Sequence, residues 1–142
     1  MSDDRLRDLL KHRVEQAYET LHEAEILQAQ QAYRGTINRA YYAMFYAVLA
    51  VLATRGLGSS KHSGAISLFD REFVKPGDFP KELSKSIHLA LERRQQHDYG
   101  DFAELDAATA AKTVDDARVF LQGVSGYLAG KGFLGHPGDA GR

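Results

Sequence analysis

From Ala40 to Ala53 the chain runs for 14 residues whose only side-chain polar atoms are the tyrosine hydroxyls of Tyr41, Tyr42 and Tyr46 and the thioether of Met44. On a helix of 3.6 residues per turn, Tyr41, Tyr42, Met44, Phe45, Val48, Leu49 and Leu52 occupy nearly the whole circumference, so such a helix has no face for water. The run falls short of the roughly 20 apolar residues that span a bilayer. A central helix, from Ile37 to about Thr54, surrounded by other helices, satisfies both constraints.

The rest of the chain supplies those helices. Leu6, Leu10, Val14, Ala17, Leu21 and Ala24 recur at three- and four-residue steps and predict a first amphipathic helix from about Asp3 to Gln30, with Gly35 and Thr36 as the break and new cap. Gly56 and Gly58 stop the central helix. Ser59 or Ser60 then caps a short third helix with His62, Ile66, Phe69 and Phe73 on its apolar side. Pro76 and Gly77 mark a turn, and Pro80 opens a fourth helix that runs to about His97. Asp106 is placed to cap a fifth, whose seam is Ala107, Ala110, Val114, Ala117, Leu121, Val124 and Leu128. No alternating strand pattern or 20- to 50-residue repeat interrupts this reading. The expected architecture is all-α, an antiparallel bundle of four or five helices, with one domain over residues 1–129 and a flexible Gly-rich tail over 130–142.

Composition removes several chemistries. The absence of cysteine excludes disulfides, thiolate metal sites and a cysteine nucleophile. His12, His22, His88 and His136 lack metal-ligand spacing, so neither a metal nor a cofactor is expected. The charged stretch Met1–Arg13 is unlike a secretory signal, and a cytoplasmic location is expected. A net charge of −1 argues against a constitutive high-affinity nucleic-acid binder while leaving room for a local basic groove. There is no glycine-rich phosphate loop, His-Glu-x-x-His or nucleophile elbow.

Chemistry therefore falls to the end of the fourth helix, Leu91-Glu92-Arg93-Arg94-Gln95-Gln96-His97-Asp98-Tyr99. Extending the stripe Leu83, Ile87, Ala90 lands on Arg94 and then Asp98, charged groups where a core residue would continue. One reading is an i,i+4 ion pair that also opposes the helix dipole, worth a few tenths to about 1 kcal/mol. The other is a phosphate-recognising or RNA-cleaving cluster, in which arginine supplies a fixed fork of donors and His97 moves a proton near neutral pH. Asn38 is either a polar group satisfied within the bundle or part of the same cleft. Lys61-His62 is either a helix start or a phosphate contact. Tyr41, Tyr42 and Tyr46 are read as core in preference to base-stacking platforms.

Taken in order, Asn38-Arg39-Ala40-Tyr41-Tyr42-Ala43-Met44-Phe45, Lys61-His62-Ser63-Gly64, Phe69 with Phe73-Val74-Lys75, and Arg94 through Asp101 resemble successive landmarks of a compact branch of the HEPN superfamily, over about Leu9 to Leu128. The resemblance implies a bundle that dimerises with its fourth-helix motifs facing across a cleft, and a partner in a minimal nucleotidyltransferase. Together they would form a toxin–antitoxin type pair in which the HEPN member is a metal-independent RNase. The alternative it implies is a non-catalytic module that binds a nucleotide or the partner. By this resemblance Arg94, His97 and Asp98 are the catalytic candidates, Asn38, Arg39, Lys61, His62 and Arg93 the binding candidates, and Tyr99 the candidate for attachment of AMP. One departure is plain. The catalytic HEPN pattern places four to six residues between arginine and histidine, whereas His97 follows Arg93 after three and Arg94 after two.

Overall fold

A computed structural model of the chain describes residues 3–98 and 106–135, with side chains for all of these except 96–98. Helix α1 spans Asp3–Ala29, α2 Tyr33–Ala53, α3 His62–Phe69, α4 Lys81–Asp98 and α5 Ala107–Gly130; a π-helical turn, Asp70–Val74, extends α3, and no strand occurs among the described residues. The all-α bundle expected from the periodicity is the fold.

The buried stripe of α1 is Leu10, Ala17, Leu21 and Ala24, and its alanines let the backbone of α2 approach closely. The helix ends at Gln31, which takes a left-handed conformation with φ of 59°. Its N–H reaches the carbonyl of Gln28 at 3.0 Å, and that of Ala32 reaches Leu27 at 2.9 Å, so these two carbonyls of the last turn of α1 are satisfied within the turn. This break lies a few residues before the one predicted at Gly35 and Thr36, and both of those residues sit inside α2. The reason is packing: a Cβ at Gly35 would come within 3.0 Å of the Leu27 side chain, so the glycine marks a close helix crossing. The Thr36 hydroxyl donates back to the carbonyl of Ala32 at 2.9 Å and caps nothing.

Helix α2 is the axis of the molecule and packs against α1, α3, α4 and α5. Its 21 residues are long and apolar enough to cross a membrane, but 67% of that window is buried against neighbouring helices, as a core helix requires. It stops at Gly56, where φ is +67° and the Leu57 N–H closes onto the Leu52 carbonyl at 3.0 Å. The predicted serine cap of α3 is not used. Lys61 holds the N-cap position without a side-chain bond, and the Ser59 hydroxyl accepts from the Lys61 N–H instead.

Asp106 caps α5 as expected, its carboxylate accepting from the Thr109 N–H at 2.8 Å. That hydrogen bond holds the Asp106 carboxyl below the usual aspartate range. Helices α1 and α5 run antiparallel, joined by Tyr18 to Ser125 at 3.1 Å and by Arg118 to Glu25 at 2.6 Å. Past α5 the chain turns at Gly132 and packs Phe133 and Leu134 against the core.

Candidate functional site

Successive residues on a helix point about 100° apart, and at the end of α4 this separates two adjacent arginines. Arg93 turns to α5, where its Nη1 donates to the Thr113 hydroxyl at 2.8 Å; that buried hydroxyl donates on to the carbonyl of Thr109 at 2.8 Å. Arg94 continues the buried stripe of Leu83, Ile87 and Ala90 toward α2. Its guanidinium lies 5.1 Å from the ring centroid of Tyr42 and 5.6 Å from that of Tyr41, with the Nε buried.

The α2 face that receives it carries Asn38, Tyr41, Tyr42 and Phe45, three to four residues apart. The Asn38 side-chain oxygen accepts two bonds from Arg39, at 3.2 and 3.0 Å, and the half-buried residue lines the cleft. Arg39 also rests 4.9 Å from the Tyr42 centroid, so two guanidinium groups share that ring. Its contact with Glu23, at 3.7 Å and half in solvent, is worth little. An open cavity of about 360 Å³ lies here, lined by Leu27, Arg34, Gly35, Ile37, Asn38, Arg39 and Arg94. Three cationic side chains, one amide and an apolar floor, with no carboxylate in the lining among the described residues, make a site suited to an anion carrying an apolar or planar portion. A net charge of −1 over the chain thus conceals a local basic groove.

His62, the first residue of α3, packs against the same face of α2. Its Nδ1 is 3.0 Å from the Tyr41 hydroxyl, its ring stacks on Phe45 with centroids 4.1 Å apart, and it meets Tyr42 edge-on at 5.6 Å. Burial, and then the charge of Arg94, push the imidazole below the usual histidine range, so it is neutral at pH 7. Burial likewise pushes the Tyr41 phenol upward, against the pull of Arg94.

Of the binding candidates, Asn38 and Arg39 are brought to one cavity with the catalytic candidate Arg94, and His62 abuts the rings beneath Arg94. Arg93 is directed to α5, and Lys61 is an exposed residue at the start of α3, outside the cavity lining. The backbone of His97 and Asp98 belongs to α4, but their side chains and the whole of Tyr99 lie outside the described residues, as does the Arg94–Asp98 pair. Sequence reasoning missed Arg34 and the apolar floor. Arg34 and Asn38 are four residues apart on one helix, a signal hidden by starting that helix at Ile37. Among the described residues no group of three or more His, Asp or Glu side chains is placed to hold a metal ion.

The HEPN domain family matches residues 10–127, and the chain belongs to that family. A UPF0332 protein of Thermotoga maritima is 39% identical over 108 residues, covering 76% of this chain and 82% of that protein. A Methanocaldococcus jannaschii protein named as a candidate toxin is 33% identical over 125 residues, covering 88% and 85% respectively. A second protein of that organism with the same kind of name is 34% identical over 94 residues, 66% of this chain and 70% of its own length.

Proposed function

We propose that this chain is a toxin-like HEPN subunit that binds RNA phosphate in the Arg94 cleft and works as one half of a pair with a minimal nucleotidyltransferase. The names borne by the two Methanocaldococcus relatives support the toxin-like reading. The observation that carries the RNA reading is the convergence of Arg34, Arg39 and Arg94 on one open cavity. Guanidinium groups bind phosphate through paired N–H donors and stack with planar groups, which is what a single strand offers.

Cleavage would follow by attack of the ribose 2′ oxygen on phosphorus. A base takes the 2′-hydroxyl proton, the new O–P bond forms, the 5′ oxygen leaves with a proton from an acid, and a cation offsets the phosphorane charge. Arg94 is the candidate cation, and His97 and Asp98, on the last turn of α4, are the candidates for proton transfer. A homodimer that sets two such helix ends face to face doubles the set, and Tyr99, next in sequence, is the candidate for silencing by AMP. The competing reading, a non-catalytic module that holds a nucleotide or the partner, is favoured by one observation: among the described residues, none that lines the cavity is a proton-transfer group near pH 7.

Incubating the purified chain and Arg94→Ala with total RNA in EDTA separates the two readings. RNA loss with the wild type alone is expected; equal loss in both samples points to contamination and removes the case for catalysis. RNA retained by the wild type without loss leaves the binding module. Co-expression with a minimal nucleotidyltransferase, followed by co-purification, tests the pair.

A further inference from the structure

Resting on the reading of Arg94 as the phosphate contact, we propose that His62 is a positioning residue for that arginine: its imidazole holds the Tyr41 hydroxyl and thereby fixes the two rings on which the guanidinium lies.

Tyr41 is fully buried, and a buried phenol requires a hydrogen-bond partner. That partner comes from another helix, the first residue of α3, at 3.0 Å. The phenol and Nδ1 form one hydrogen bond, whose donor is set by the imidazole tautomer. The imidazole is itself held, stacked on Phe45 with an interplanar angle of 25° and set against Tyr42 at 85°. His62 therefore touches both rings that Arg94 covers, and the sequence of contacts is α3 to α2 to α4: His62, then Tyr41 and Tyr42, then Arg94. A long arginine side chain loses considerable rotamer freedom when it is held in one pose, and rings already fixed in place reduce what binding must supply. The role differs from both sequence readings of Lys61-His62, since His62 neither contacts the cavity nor serves only to begin a helix.

The test is binding of a fluorescein-labelled single-stranded oligouridylate, read by anisotropy at low salt, with the intact chain. His62→Phe keeps a flat ring but loses the hydrogen-bond partner, His62→Asn keeps a hydrogen-bonding atom near the position of Nδ1, and Tyr41→Phe loses only the hydroxyl. His62→Phe and Tyr41→Phe are expected to weaken binding about five- to tenfold, and His62→Asn less than about twofold. In an Arg94→Ala background, His62→Phe should cause no further loss, because contacts that act through one another are non-additive. Should His62→Phe fail to fold, Tyr41→Phe, in both backgrounds, carries the comparison. Wild-type binding by His62→Phe and Tyr41→Phe, with binding lost in Arg94→Ala, overturns the positioning role and leaves Arg94 in place. An equal loss from His62→Phe in both backgrounds also overturns it, because the effect then bypasses Arg94. Wild-type binding by Arg94→Ala overturns the phosphate reading itself, and the positioning role with it.

Discussion

Arg55 and Arg94 rest on aromatic rings toward opposite ends of α2, and they do different things. Arg55, just past its C-terminal end, lies 4.1 Å from the Phe73 centroid and donates to the Glu72 carbonyl at 2.8 Å and to Asp78 at 3.1 Å. Its ring belongs to a closed cluster of Phe69, Phe73, Phe79, Phe120 and Tyr127. Arg94, near the N-terminal end, rests on tyrosines and lines an open cavity with two further arginines. The ring contact is common to both and does not distinguish them. What surrounds the guanidinium does: for Arg55 a backbone carbonyl and a carboxylate that tie off a loop, for Arg94 a cavity whose described lining holds two further arginines.

Breaking the closed end should cost stability and leave binding alone. Phe73→Ala, at a fully buried ring, is expected to lower unfolding free energy by about 3–5 kcal/mol in urea melts, while the folded fraction binds the oligouridylate with unchanged affinity. Arg55→Ala, whose side chain is 44% exposed, should cost about 1 kcal/mol and again leave binding unchanged. A loss of binding in either variant would mean that the two ends are coupled through α2.

The smallest effect sharpens the Arg94 end. The folded-state pKa of His62 is lowered, so between that value and the ordinary 6.5 the unfolded chain binds more protons than the folded one. The stability that neutral His62 contributes is therefore whole above pH 6.5 and falls as the pH drops toward the lowered value. The stability difference between the wild type and the non-titrating His62→Asn should shrink from pH 7.5 to pH 5 in parallel urea melts. A difference that does not change with pH would contradict the burial assigned to this imidazole.

The fold was legible because its signals are local. The seam of α5 and its Asp106 cap are spaced within single turns of one helix, and the circumferential run of α2 leaves only a central position. Gly35 misled because a glycine that breaks a helix and one that admits a neighbouring helix look alike in sequence; the distance to Leu27 decides between them. At the site, the stripe on α4 located Arg94, since periodicity reports which face a residue shares. It left Arg93 among the binding candidates, because the partner that draws it away, Thr113, lies on another helix. The Tyr41–His62 bond was out of reach for the same reason: 21 positions and a loop separate residues that the bundle places side by side.

The central claim is that the Arg94 guanidinium takes an RNA phosphate, and the salt dependence of oligouridylate affinity tests it most directly. For a single strand, each neutralised phosphate contributes about −0.7 to the slope of log affinity against log salt. Arg94→Ala is expected to bind at least about tenfold more weakly at low salt and with a slope shallower by about 0.7, while Arg55→Ala keeps the wild-type line. Coincident lines for the wild type and Arg94→Ala would contradict the claim.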